Sequence, residues 1–279
     1  MTVGLATAAA PDVRLDHDTA ELADTYDRVG FRQFEHGKQL IALLGLQKGQ
    51  RVLDVGCGTG LLGAWVAEQV GDRGEVIGID PLPLRVVLAA RKHPRLHTKV
   101  GRAEDLSAFA DESFDAVYLN SVFHWVPDQP KALAEALRVL RPGGRIALNS
   151  ADALRPHESN VLLRQALDEA GLRGVGQAAG AHNHRVDASR LAELLAQAGF
   201  IGIEVAPHTF VDQLQDVDEL IAWSRSSSFG NWLSDLEAEP RALVRARLAE
   251  LLEPLRRVAT IPLQRHLVFA SARRPSSRP

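Results

Sequence analysis

The sequence has a single cysteine, Cys57, among its 279 residues. One cysteine excludes an internal disulfide bond and a cage of thiolate metal ligands. Long hydrophobic runs are also missing: no stretch approaches the roughly 18 apolar residues of a membrane span, and the mean hydropathy is -0.09. An excess of one charge is absent too, because 32 basic and 35 acidic side chains leave a net charge of -3. We therefore expect a cytoplasmic protein that binds neither nucleic acid nor a membrane.

The remaining composition is that of a globular chain, with 46% hydrophobic and 24% charged residues. Residues 1–19 are largely apolar but lack the positive leading segment of a signal peptide, so we predict a mobile leader. Residues 20–279 are long enough for one large domain.

Strand and helix signals alternate from residue 50 onward, which predicts an α/β fold. Helices between strands imply right-handed crossovers and parallel pairing, so we expect a Rossmann-like, doubly wound, mostly parallel seven-stranded sheet. The last strand is predicted to be antiparallel. Segments 151–186 and 214–257 are too long for plain loops, and we interpret them as helical lid insertions in the domain. Strands are predicted at 51–55, 75–80, 96–100, 114–119, 145–149, 201–205 and 266–272. An amphipathic helix is predicted over 130–141, with 142–144 as its stop before the fifth strand, and Asp187 is predicted to cap a later helix.

A glycine-rich turn follows the first predicted strand and leads into a helix. Glycines there admit positive φ angles and let a ligand approach bare backbone. Gly58, Gly60 and Gly63 match the dinucleotide pattern G-x-G-x-x-G, and Asp80 ends the next strand where an acid can hold a ribose. A nicotinamide-dependent oxidoreductase is therefore one reading of this region.

Asp54, at the tip of the first strand, favours a different ligand. A carboxylate beside the turn repels a pyrophosphate, whereas it attracts a ligand that has a ribose and a cationic end. S-adenosylmethionine has a ribose, a sulfonium and an ammonium, and it has no phosphate.

Five segments in order resemble the motifs of class I S-adenosylmethionine-dependent methyltransferases. They are VLDVGCGTG at 52–60, VIGIDP at 76–81, GRAEDL at 101–106, FDAVYLNSVFHWVPD at 114–128 and LRVLRPGGRIAL at 137–148. The sequence is most similar to the small-molecule enzymes of the trans-aconitate and ubiquinone/menaquinone type. The resemblance implies an enzyme that transfers a methyl group from S-adenosylmethionine to a small-molecule acceptor by in-line displacement.

The resemblance also implies cofactor contacts. Asp54 would reach the ammonium, Asp80 the ribose hydroxyls and Leu82 the adenine face, with an adenine-edge contact from Ala103 and Glu104. Arg102 stands where many relatives have an aspartate. The full set of predicted cofactor residues is Asp54, Gly56, Gly58, Thr59, Gly60, Asp80, Pro81, Leu82, Arg102, Ala103, Glu104 and Asn120.

Catalytic and acceptor residues are less clearly marked, because methyl transfer mainly needs positioning and exclusion of water. His124, beyond the fourth strand, is a candidate general base, and family analogy places Tyr26 near the methyl group. Aromatic residues and one arginine suit a small acceptor with a carboxylate or a polarised ring. The predicted substrate residues are Phe34, Trp223, Arg225, Phe229 and Trp232.

Two further alternatives stay open. His182 and His184 form an H-x-H pair, which keeps a metal-assisted C-methyltransferase of 2-oxo acids in view, although we predict no metal site. The chain could also bind cofactor without turnover, because fold and binding motifs do not fix activity.

Overall fold

The structure, a computed structural model, describes residues 18–173, 184–227 and 236–276. Seven strands form one sheet in the order β3-β2-β1-β4-β5-β7-β6. The strands are β1 Arg51–Val55, β2 Glu75–Asp80, β3 Leu96–Val100, β4 Phe114–Leu119, β5 Leu140–Ala151, β6 Ile201–Leu214 and β7 Ile261–Arg273.

Helices cover the sheet on both faces. They are α1 Ala20–Val29, α2 Phe31–Ala42, α3 Leu61–Val70, α4 Pro83–Lys92, α5 Gln129–Val139, α6 Glu158–Glu169, α7 Ala188–Gln197, α8 Val217–Ser227 and α9 Ala238–Leu252. Short 3-10 helices lie at Phe123–Trp125 and Glu253–Leu255.

The strand directions confirm the predicted fold class. Strands β1 to β5 pair in parallel, whereas β7 runs antiparallel to both of its neighbours, β5 and β6. The order reverses between β1 and β4, and ligands of open α/β sheets bind at the carboxyl ends of the strands at such a point. The topology therefore puts the glycine turn after β1 at the expected place for a ligand.

The central strands are buried on both faces because alternate side chains enter two separate cores, whereas the edge strands β3 and β6 are largely exposed. Leu53, Ile77 and Val117 pack in the core beneath α5 and α7. Val52 and Ala116, their neighbours along β1 and β4, pack in the core beneath α2 and α3.

Local signals set several helix ends. Asp187 accepts a hydrogen bond from the backbone N of Arg190, as predicted for the cap of α7. Pro83 occupies the first position of α4, where a missing N–H costs no hydrogen bond. Glu219 N donates to Asp216 Oδ1 at the start of α8.

The first four predicted strands have the observed bounds, whereas the last three lie inside longer observed strands. Helix α5 ends at Val139, earlier than predicted, because Leu140 is already extended and pairs with Phe114. The segment Pro142–Gly144, predicted to separate helix from strand, is therefore part of β5. Strand β6 continues to Leu214 because it pairs with β7 along nearly its whole length.

Helices α6, α8 and α9 form a third core, against the ends of β6 and β7. Leu163, Trp223 and Leu248 are buried there together. The two segments that we interpreted as lids therefore pack on each other as a helical layer next to the sheet. None of the helices in the described part of the chain has the length and apolarity to cross a membrane.

Candidate active site

The turn between β1 and α3 is shaped by its glycines. Gly56 has φ +81°, and a Cβ there would lie 2.2 Å from a methyl group of Val122, so a larger residue would clash. The backbone N atoms of Gly56 and Cys57 both donate to the carbonyl of Ile79, at 2.7 and 2.9 Å. These bonds hold the turn against the end of β2.

Asp54 is buried at this turn, on β1. Its Oδ2 and the nearby hydroxyl of Tyr118 are both buried, and neither has a hydrogen bond of good geometry within the described residues. Burial raises the pKa of Asp54 to about 7; the Tyr118 hydroxyl opposes that shift and the carboxylate of Asp80 adds to it. The site therefore holds a carboxyl group that a cation would stabilise in its ionised form.

A cleft with about 430 Å³ of empty space separates the glycine turn from α1 and α2. Seven of the predicted site residues line it: Tyr26, Phe34, Asp54, Gly56, Thr59, Gly60 and Asn120.

Asn120 is fixed at the floor of this cleft by a hydrogen-bond network. Its Nδ2 donates to the carbonyl of Gln33 at 2.9 Å, and its Oδ1 accepts from Asn149 Nδ2 at 2.9 Å. Ser121 N donates to Asn149 Oδ1 at 2.6 Å. The ends of β4 and β5 are thereby tied to α2 beside the cleft.

Asp80 ends β2 and is buried, outside the residues that line the cleft. Its two carboxylate oxygens accept from Gly58 N at 2.9 Å and from Leu82 N at 3.0 Å. Burial raises the pKa of Asp80, while the Arg85 guanidinium and these two backbone bonds oppose the shift.

Tyr26 covers this side of the site. A Cβ on Gly58 would lie 3.0 Å from the Tyr26 ring, and the guanidinium of Arg85 lies 4.0 Å from the centroid of that ring. Arg85 also donates to the carbonyl of Ser226 on α8. Helices α1, α4 and α8 thus meet over the predicted ribose position.

The predicted adenine-side residues lie apart from the cleft as it stands. Leu82 and Ala103 are buried, and Arg102 Nε is 3.9 Å from Glu104 Oε2. The structure therefore does not bring Pro81, Leu82 or 102–104 together with the residues that line the cleft.

The structure argues against the proton-accepting role predicted for His124. Its Nδ1 already accepts a hydrogen bond from Ala151 N at 3.2 Å, which leaves the proton of the neutral ring on Nε2. Burial lowers the pKa of His124 to about 3, with Arg185 and Arg265 acting in the same direction. A ring in this state has no free lone pair for an acceptor's proton.

The predicted substrate residues are dispersed. Phe34 lines the cleft and meets Trp65 edge-on, with centroids 6.4 Å apart. Trp223 is buried on α8, and Arg225 is half-buried on the same helix. Phe229 and Trp232, like His182, lie outside the described residues.

Sequence reasoning missed a buried polar cluster formed by His36, Asp212 and Arg265. The helical spacing of the sequence does carry a signal for His36. His36 and Gln33 precede the apolar Leu40 by four and seven positions, which places both on the buried face of α2. Asp212 and Arg265 lie on paired strands, and only the strand register brings them together.

Within residues 18–173, 184–227 and 236–276, no group of three or more His, Cys, Asp or Glu side chains is placed to hold a metal ion.

Comparison with known proteins identifies a methyltransferase domain in this chain. Residues 53–148 match a family described as "Methyltransferase domain". The chain is 30% identical to a trans-aconitate 2-methyltransferase from Deinococcus radiodurans, covering 78% of this chain and 84% of the relative. It is 36% identical to a demethylmenaquinone methyltransferase from Listeria welshimeri, covering 46% of this chain and 58% of the relative.

A solved structure shares the fold. The YcgJ protein from Bacillus subtilis superposes with a TM-score of 0.58 at 18% identity, covering 88% of this chain and 100% of that one. The resemblance inferred from the five motifs is thereby confirmed, and the chain belongs to the class I S-adenosylmethionine-dependent methyltransferase family.

Proposed function

We propose that this protein transfers the methyl group of S-adenosylmethionine to a small-molecule acceptor. The observation that carries the proposal is the buried Asp54 Oδ2, which lacks a hydrogen-bond partner among the described residues and lies at the glycine turn. The ammonium of the methionine moiety would supply that partner, because charge-assisted hydrogen bonds to a buried carboxylate are strong. Family membership supports the same donor.

The other cofactor contacts remain predictions that require a local rearrangement. Asp80 would accept the ribose hydroxyls only if Tyr26 leaves its position against Gly58. Leu82, Ala103 and Glu104 would then border the adenine. Because α1 carries Tyr26 and α8 contacts Arg85, opening of these two helices would admit the cofactor and their return would exclude water.

The alternative of a nicotinamide-dependent oxidoreductase has less support. A dinucleotide would place its pyrophosphate at the glycine turn, beside the buried carboxyl group of Asp54. Repulsion from this group would weaken such a ligand relative to S-adenosylmethionine. For a metal-assisted C-methyltransferase the described residues supply no favouring observation.

The relatives suggest which acceptors to try. One is named for trans-aconitate and another for demethylmenaquinone, so small carboxylic acids and quinols form the first panel.

Calorimetric titration of the full chain tests the proposal. Wild type is expected to bind S-adenosylmethionine and S-adenosylhomocysteine, and Asp54→Asn is expected to bind at least about tenfold more weakly, which corresponds to about 1.4 kcal/mol. Asp72→Asn is the matched control, since Asp72 is exposed and distant from the turn. Binding of NAD or NADP in preference to S-adenosylmethionine would contradict the assignment.

Methyl transfer from labelled S-adenosylmethionine to the acceptor panel then tests turnover. Tight cofactor binding without transfer to any member would favour a protein that binds the cofactor without using it.

A further inference from the structure

We infer that the polar cluster of His36, Asp212 and Arg265 is the acceptor side of the site, and that His36 takes the proton from a hydroxyl acceptor. The inference rests on the proposed methyl transfer and adds the class of acceptor. We call these three residues the acceptor cluster.

The acceptor cluster is an ordered chain of charged contacts. Arg265 Nε on β7 donates to Asp212 Oδ2 on β6 at 2.7 Å. Asp212 Oδ1 lies 3.4 Å from His36 Nε2 on α2. The side chains of His36 and Asp212 are only 8% and 9% exposed, so water does not compete strongly for these contacts.

This arrangement selects one tautomer of His36. A carboxylate facing Nε2 favours the proton on that nitrogen, and Nδ1 is then an acceptor with a free lone pair. Nδ1 is buried and has no hydrogen-bond partner in the part of the chain that the structure describes. A buried acceptor without a donor is unfavourable, so a ligand hydroxyl would be stabilised there.

The acceptor cluster adjoins the cofactor cleft. His36 follows Gln33 by one turn of α2, and Gln33 lines the cleft. Flipping the Gln33 amide satisfies both of its polar atoms: the nitrogen then donates to the Gly30 carbonyl at 3.2 Å, and the oxygen accepts from Trp223 Nε1 at 2.9 Å. Trp223 in turn lies over Arg265, with the guanidinium 4.2 Å from the ring centroid.

A second, narrow cavity lies behind this wall, with room for no more than about one water molecule. Asp212, Trp223 and Arg265 line it, so Gln33 and Trp223 separate it from the cofactor cleft. An acceptor would enter this space, and approach the methyl group from it, only if these two side chains move aside.

The charges around His36 suit a proton acceptor at neutral pH. Burial lowers the pKa of His36, Arg265 and Arg32 act in the same direction, and Asp212 opposes them. Although burial works against ionisation, Arg265 and His36 hold the pKa of Asp212 well below its usual range. His36 is therefore neutral and Asp212 is charged before the reaction. The Phe210 ring stacks on His36 at 4.0 Å and adds no charge.

The proposed step balances without a further reactant. A lone pair of the hydroxyl oxygen attacks the methyl carbon, the carbon–sulfur bond breaks, and its electron pair stays on sulfur as S-adenosylhomocysteine. The hydroxyl proton moves to Nδ1 of His36, and the resulting imidazolium is stabilised by Asp212. An ionised carboxylate acceptor carries no proton at neutral pH and would gain nothing from His36.

Nitrogen NMR of the histidine rings tests the tautomer in the complex of the full chain with S-adenosylhomocysteine. His36→Gln identifies the His36 signals, and His97→Gln, an exposed residue on β3, is the matched control. We expect an unprotonated Nδ1 and a protonated Nε2 at pH 7. A proton on Nδ1 at that pH would overturn the inference.

Transfer assays test the acceptor class, with catechol and hydroquinone as hydroxyl probes and trans-aconitate and succinate as carboxylate probes. His36→Gln keeps a donor for Asp212 but lacks the basic nitrogen, so kcat for hydroxyl probes should fall about 100-fold. Affinity for S-adenosylmethionine should stay within about twofold, and His97→Gln should match wild type. Transfer to carboxylates alone, or a full-rate His36→Gln enzyme, refutes the inference.

The outcomes separate this inference from the proposed function. A wild-type protein that fails to bind S-adenosylmethionine contradicts the proposed function, and the acceptor-cluster inference falls with it. If the cofactor binds but none of the four probes is methylated, the NMR tautomer of the wild-type complex decides. If His36→Gln fails to fold, sequential backbone assignment of the wild-type complex identifies the His36 ring, and its tautomer decides in the same way.

Discussion

At the scale of single residues, Asp54 has the property on which ligand choice depends. It is buried, its Oδ2 lacks a partner within the described residues, and its pKa is raised to about 7. In the free protein this group costs stability as pH rises from about 4 through 7, because the folded state holds its proton more tightly than the unfolded state. A bound ammonium reverses that cost by stabilising the carboxylate.

This pKa predicts a pH-dependent affinity for S-adenosylmethionine. Only the ionised form of Asp54 attracts the ammonium, so affinity should rise about tenfold between pH 5.5 and 7. Calorimetry across that range measures the effect. Asp54→Asn should bind weakly with a nearly flat profile, and a wild-type affinity independent of pH would contradict the role of Asp54.

At the scale of secondary-structure elements, Arg85 connects three helices over the predicted ribose position. It projects from α4, lies over the Tyr26 ring of α1 and donates to the Ser226 carbonyl of α8. Because Asp80 is covered beneath this junction, the cofactor needs α1 or α8 to move before it can enter fully. Arg85 therefore stabilises the closed arrangement.

Arg85→Gln should accelerate cofactor entry. The variant loses a charge-assisted hydrogen bond and a cation–π contact, each of about 1 kcal/mol or more, so the open arrangement becomes more populated. We expect the association rate of S-adenosylhomocysteine, followed by stopped-flow tryptophan fluorescence, to rise several-fold. Arg91→Gln, exposed on the same helix, should leave the rate unchanged. An unaltered rate in Arg85→Gln would show that this junction does not control entry.

At the scale of the whole molecule, the ion pair of Asp212 and Arg265 joins the sheet to the helical layer. Both side chains are 9% exposed, and Arg265 packs on Trp223 of α8. Removing one member leaves the other buried and uncompensated. Asp212 contributes stability above about pH 4, and this contribution is lost as pH falls toward its lowered pKa.

Asp212→Ala should lower the free energy of unfolding by about 3–5 kcal/mol in denaturant titrations. Asp218→Ala is the matched control, because Asp218 pairs with Arg245 at the surface, where an ion pair contributes about 1 kcal/mol or less. Equal losses of unfolding free energy in the two variants would show that the buried Asp212 pair matters no more to stability than a surface ion pair.

Much of the fold was predictable because its signals are local. Each of these signals depends only on residues a few positions away. They include the apolar run of Arg51–Val55, the glycines after it and the Asp187 cap, and the structure has all three where the sequence predicts them. The extents of β5, β6 and β7 were underestimated, because their ends are extended only through pairing with a neighbour.

The candidate site likewise contains residues that local sequence signals predict and residues that only tertiary contacts explain. Asp54, Gly56 and Asn120 follow strand ends at one edge of the sheet, so sequence reasoning placed them together, and they share the cleft. His124 was assigned a chemical role from its residue type and its place beyond the fourth strand, whereas its hydrogen bond to Ala151 N depends on β5 beside it.

The order of strands and helices, the glycine turn and the acid beside it were determined by the sequence itself, since backbone conformation and charge at neighbouring positions need no distant partner. The pairing of His36 with Asp212 and Arg265, residues far apart in the chain, was decided by the tertiary structure alone. Burial and partners set the protonation of a histidine, and both come from elements that only the folded sheet and its helices bring together.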